Sequence, residues 1–207
     1  MAPTAGPPPG GDVAWPRLDA DDALVRGGET LTLAETARLA GAWGWAESRL
    51  YEVVGGWVLS TTGPAAKIYF DTCSQHHAWR ARLWHERRPG LPSQFVPVFA
   101  GDGPAIEGLS TVGDDAGRLS ALCRVVLPRF VVGYRSWQRR CAAVSDQPVA
   151  RALGFALADV LADWERGCAL LQGHLDDDDD GRQAAAAADA ARHVDRLLAG
   201  YGLWPSS

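Results

Sequence analysis

The sequence has no dense basic block. Its formal charge is −5, from 20 Lys plus Arg against 25 Asp plus Glu, and such a balance suits a nucleic-acid backbone poorly. No apolar run approaches the roughly 18 residues of a membrane span, so no membrane partner is expected. Cysteine is scarce: only Cys73, Cys123, Cys141 and Cys168 occur, and none stands in a CxxC spacing. That argues against a structural zinc site and for reduced, buried thiols in a cytoplasmic protein. There is no P-loop, and the Gly-x-Gly at Gly101-Asp102-Gly103 lies inside a loop-like stretch and not after a strand. A Gly-x-Ser-x-Gly elbow is also missing. Strand-like alternation is weak outside residues 94–99. A nucleotide-binding α/β enzyme is therefore a poor fit. Lysine occurs once against 19 arginines, and Ala is abundant, a composition associated with GC-rich bacterial genomes.

What is present is ordinary globular material. The chain has 207 residues, 47% apolar and 22% charged, enough for one domain with its own core. Met1 to Gly11 carries four prolines and three glycines. With no basic and apolar leader pattern, it reads as a flexible tail and not a signal peptide. We place that tail and its lead-in at 1–30, a helical body at 31–175, and an acidic linker with a final helix at 176–207.

The body reads as helices throughout. Residues 31–60 form the first, with Thr32 and Glu35 at capping-box spacing. Trp43, Leu50, Val54 and Trp57 give its apolar stripe. A break at Thr61–Pro64 starts the second helix, which runs to Arg88. Residues 89–116 are rich in Gly, Pro and Asp and read as a long irregular crossover, pinned by Phe95, Val96, Val98 and Phe99. A third helix spans 117–145, with Pro128 expected to kink it near Val125. The fourth spans 148–175. The Asp176–Asp180 run reads as a solvated linker, and an Ala-rich fifth helix, 183–199, as a clasp with Val194, Leu197 and Leu198 facing inward.

Helical-wheel positions single out a few inward polar residues. Glu47 falls on the tryptophan stripe of the first helix, where a carboxylate needs a cation, a metal or donors. On the second helix, His76 falls near the middle of an arc drawn through Ile68, Tyr69, Thr72, Trp79, Leu83 and Trp84. Arg80 lies inside that arc, and His77 at its edge reads as a surface residue. Equal counting from the turn sets Glu47 opposite Gln75–His77, so Glu47 and His76 are expected to meet. Tyr134 is the inward candidate on the third helix. Asp163 lies near the inner edge of the fourth, opposite residues near Tyr134, with Asp159 further out.

Two helix pairs joined by a long crossover, with an inward Glu on the first helix and a His on the second, resemble the ferritin-like bundle over about residues 31–175. The resemblance implies an all-α four-helix bundle with a C-terminal helix added. In di-iron members, two helices give a Glu each and the other two a Glu-x-x-His pair. Here Glu47 matches the first-helix carboxylate and His76 or His77 the second-helix histidine. Cys73 or Ser74 stands where the paired Glu belongs, the third helix has no carboxylate, and Ala162 or Arg166 stands in place of the fourth-helix His. The resemblance thus implies a reduced site: a single metal, iron among the options, on Glu47, His76, His77 and Asp163.

Three functions follow as expectations. The first is a metal-dependent, non-haem oxidase or oxygenase acting on a small molecule, possible in bacterial specialised biosynthesis, with Tyr134 and Arg80 orienting substrate. The second is a metal-free bundle that keeps a pocket, with Glu47 and His76 as an acid–base pair. The third is a scaffold or partner subunit, with Glu47 neutralised by Arg80 in a buried ion pair. A homodimer is a habit of the ferritin-like type.

Overall fold

The computed structural model describes residues 30–88, 103–178 and 180–199. The lead-in as far as residue 29, and Phe95, Val96, Val98 and Phe99, lie outside them. The regular elements are all helical, with no strand among the described residues.

Helix α1 (Leu33–Ser60) starts as its sequence requires. The Glu35 amide donates to Thr32 Oγ1 at 3.2 Å, and the Thr32 amide donates to Glu35 Oε2 at 2.7 Å. This reciprocal cap satisfies two amides that the first turn leaves unpaired, and such a cap contributes about 1 kcal/mol. After Thr61–Gly63, helix α2 (Pro64–Arg87) opens on proline, whose missing N–H costs nothing at that position. The two helices pack as an antiparallel hairpin. Asp115 pins the turn from outside: its Oδ2 accepts from the Thr62 amide (3.1 Å), the Thr62 hydroxyl (3.0 Å) and the Gly63 amide (2.9 Å).

The described part of the crossover corrects the expectation of an irregular 89–116. Residues from Gly103 onward form a short helix, α3 (Gly103–Glu107), and a 3-10 turn (Gly108–Thr111). Ile106 and Leu109 are buried there, and their three-residue spacing gives the segment an inner face.

Helix α4 (Asp115–Ser120) passes into a π-helical turn (Ala121–Val126) and then α5 (Leu127–Arg139). Pro128 cannot donate to the carbonyl four residues back. The backbone widens ahead of it, and the Leu127 amide donates to Leu122 O, five residues back. The helix then stops at Arg139 and does not reach Ser145, because Asp146 Oδ2 accepts the Ala142 amide at 2.8 Å and folds a turn. Helix α6 (Gln147–Asp176) follows, then α7 (Arg182–Ala199).

Helix α1 lies beside α2, α2 beside α6, and α6 beside α5. The ring closes through Trp43 of α1, whose ring centre lies 5.0 Å from that of Phe130 and 4.6 Å from that of Tyr134 on α5. The Leu31 amide donates to Arg140 O at one end of α1, and Asp115 holds the turn at the other. So α1 runs antiparallel to α4–α5, and α4 begins at the end of the bundle opposite to where α2 stops. Two glycines allow the closest approaches. A Cβ on Gly133 would come within 2.4 Å of the Trp43 ring, and one on Gly167 within 2.2 Å of Tyr69 Oη and 2.3 Å of Cys123 Sγ.

Helix α7 packs on α4 and the π-helical turn. Ala187, Val194 and Leu198 are buried, and Ser120 Oγ donates to Ala187 O at 2.7 Å. The acidic run does more than link. Asp178 Oδ2 accepts the Ala184 amide at 2.8 Å and Asp180 Oδ1 the Arg182 amide at 3.1 Å, so two of its carboxylates cap α7, where the helix dipole favours negative charge.

Candidate functional site

The inner polar residues converge on one buried cluster. Helix α1 contributes Glu47, α2 contributes His76, His77 and Arg80, α5 contributes Tyr134 and α6 contributes Asp163. Glu47, His77, Arg80 and Tyr134 are fully buried, and Asp163 nearly so. Only the His76 side chain reaches water appreciably, at 38% exposure.

Arg80 is the hub. Its Nε donates to Glu47 Oε1 at 2.7 Å and its Nη1 to Asp163 Oδ2 at 3.4 Å. Tyr134 donates to Glu47 Oε1 at 2.5 Å and accepts from Trp84 Nε1 at 2.8 Å. Glu47 Oε2 is in close contact with His77 Nδ1. On the outer side, Asp163 Oδ1 lies 2.8 Å from His76 Nδ1. Each carboxylate oxygen of Glu47 and Asp163 therefore has a protein partner.

His77 Nδ1 stands between two groups with opposite demands: Glu47 Oε2, which only accepts, and Arg80 Nη2, 3.0 Å away, which only donates. His77 Nε2 is buried with no hydrogen-bond partner. Burial drives the His77 pKa below its ordinary value, against the pull of Glu47. Burial also opposes the Glu47 charge, but Arg80 and His77 together hold its pKa below the usual range. Arg80, despite burial, is held more firmly protonated by Glu47. Burial and the neighbouring Glu47 charge both push the Tyr134 phenol up, so it stays a donor.

Several expectations are corrected here. Glu47 meets His77, and His76 instead meets Asp163. His77, read as a surface residue, is fully buried, while Ile68 and Trp79, read as core, are 58% and 44% exposed. The inner face of α2 runs through Tyr69, Cys73, His77, Arg80 and Trp84. The wheel was centred on apolar bulk, whereas partners on α1 and α6 make it favourable to bury the charged side of the helix. Asp163 faces α2 and not Tyr134. Trp84 joins the site as the donor to Tyr134; its place four residues after Arg80 on the same face was the available signal.

The ferritin-like resemblance implies a metal, and the donor set can be tested against one. A metal ion needs free carboxylate and imidazole lone pairs converging on one point. Here the carboxylate oxygens of Glu47 and Asp163 are engaged, and a fixed positive charge lies between them. Among the described residues no group of three or more His, Cys, Asp or Glu is placed to hold an ion. As arranged, these residues do not fit a metal.

No protein-family model, no curated protein and no solved structure matches the chain. No helix among the described residues is long and apolar enough to cross a membrane.

Proposed function

We propose that this chain is a metal-independent bundle of the ferritin-like type, working as a binding or partner protein. In this reading the Arg80 guanidinium takes the central place that metal ions hold in di-iron members. The observation that carries it is the complete burial of Arg80 between Glu47 and Asp163. A buried guanidinium bonded to two carboxylates supplies the compensating charge a cation would otherwise bring. The expected metal-dependent oxidase would require Arg80 to swing out of the core.

With its centre filled, such a protein binds at its surface. A groove of about 560 Å³ between the outer faces of α1 and α2 offers a place. It is lined by small residues (Ala40, Gly44, Ala78) and by Arg49, Arg82 and Arg88, the first two already paired with Glu52 and Glu86, and it suits a small polar ligand. A second reading rests on His76. Its Nδ1 faces Asp163 and its side chain is partly exposed, so the other ring nitrogen is available for acid–base work on a small molecule.

Elemental analysis tests the main reading. The protein is purified without chelator, then incubated with ferrous or manganous ion and desalted. Far less than one metal per chain, and a melting temperature indifferent to EDTA, are expected. Near-stoichiometric metal that is lost in Glu47→Ala would overturn the reading and restore the oxidase.

A further inference from the structure

The outer edge of the charge cluster holds a histidine whose free nitrogen faces water. His76 Nδ1 lies 2.8 Å from Asp163 Oδ1. A carboxylate oxygen only accepts, so in the neutral ring Nδ1 carries the proton and the Nε2 lone pair is bare. The His76 side chain is 38% exposed and that of Asp163 6%, and Nε2 has no hydrogen-bond partner among the described residues. Asp163 is fixed from behind. Its Oδ2 accepts from Arg80 Nη1 at 3.4 Å, and its main-chain carbonyl accepts from Tyr69 Oη at 3.0 Å. The carboxylate is thus held in place, and it holds the imidazole in one tautomer and one orientation.

Two neighbours set the class of molecule that fits there. Trp79 stands three residues after His76, on the same side of α2, and is 44% exposed. Long helical side chains lean toward the helix N-terminus, so the indole covers the turn that carries His76 and offers a flat apolar face beside the imidazole. Asp159, half-buried, stands one turn before Asp163 on α6. A second carboxylate on that side repels an anionic molecule.

We propose that His76 is a nucleophile for acyl groups carried on uncharged aryl esters, with Asp163 as its positioning residue and Trp79 as the face on which the aryl ring stacks. The proposal rests on the second reading above, in which the free nitrogen of His76 does chemistry on a small molecule. In the first step Nε2 attacks the ester carbonyl carbon. The C–N bond forms, the C–O bond to the aryl group breaks, and the aryl oxide leaves, taking a proton from water. Nδ1 keeps its proton, and Asp163 balances the positive charge of the acylated ring. In the second step the hydroxide so formed adds to the acyl carbon, the C–N bond breaks and its electron pair returns to Nε2. One ester and one water become one carboxylic acid and one phenol, with no change in oxidation state.

The test uses the full chain and 4-nitrophenyl acetate. Saturable release of 4-nitrophenol is expected, with an acetyl group on His76 in acid-quenched digests mapped by mass spectrometry. His76→Gln should abolish both. Trp79→Ala should raise KM and leave kcat, and Asp163→Asn should lower kcat and leave KM. The anionic 4-nitrophenyl hemisuccinate should turn over more slowly than the acetate. Turnover that survives His76→Gln would overturn the proposal. Diethyl pyrocarbonate separates the proposal from the reading beneath it. If His76 is carbethoxylated faster than the more exposed His85 but no ester is turned over, the substrate class falls and the reactive nitrogen stands. If His76 reacts no faster than His85 and no ester is turned over, both fall.

Discussion

Replacing Arg80 by methionine probes the centre of the molecule directly. The change keeps most of the aliphatic volume and removes the charge. It leaves Glu47 fully buried with His77 and Tyr134, and Asp163 with His76 alone. Deleting one partner of a buried ion pair costs about 3–5 kcal/mol, because the other charge stays desolvated. At roughly 2–4 °C per kcal/mol for a chain of this size, the melting temperature should fall by about 6–20 °C. The pH dependence separates this cause from lost packing. In the variant, the uncompensated Glu47 carboxyl has a raised folded pKa. Its neutral form is then favoured in the fold, so stability is regained as pH falls. Melts followed by circular dichroism at neutral and mildly acidic pH read both effects. Arg80→Met combined with Glu47→Gln should recover part of the loss. A variant that melts with the parent, or whose deficit widens on acidification, would refute the buried-charge reasoning.

Two further outcomes are open to measurement. In the parent protein His77 and Glu47 both have folded pKa values below their ordinary 6.5 and 4.5. The unfolded chain then binds more protons, so stability is complete above the histidine value and declines as pH falls below it. It declines again below the carboxylate value; urea midpoints across that range should show it, and Glu47→Gln should remove the lower part. Gly133→Ala places a methyl against the Trp43 ring at 2.4 Å and should cost about 1–3 kcal/mol by overpacking. Gly154→Ala, with nothing within 4 Å, should leave the midpoint unchanged or raise it; equal effects of the two alanines would remove the role given to Gly133.

Local chemistry was legible along the chain. The Thr32–Glu35 cap, the Pro64 start and the departure from regular α-helix just ahead of Pro128 depend on residues a few positions apart, and all appear in the structure. So does the inward placing of Glu47, Arg80 and Tyr134, since an apolar stripe fixes which side of a helix turns to the core. The all-helical character followed from the same periodicities.

Tertiary structure decided the rest. Adjacent histidines on a helix point 100° apart, so the choice between His76 and His77 as the partner of Glu47 depended on the rotation of α2 between α1 and α6. That rotation was set by partners distant in sequence: Glu47 for His77 and Arg80, and Asp163 for His76. Apolar bulk alone favoured turning Trp79 and Ile68 inward. Pairing outweighed it, because a buried charge is tolerated where hydrogen bonds and an opposite charge await it.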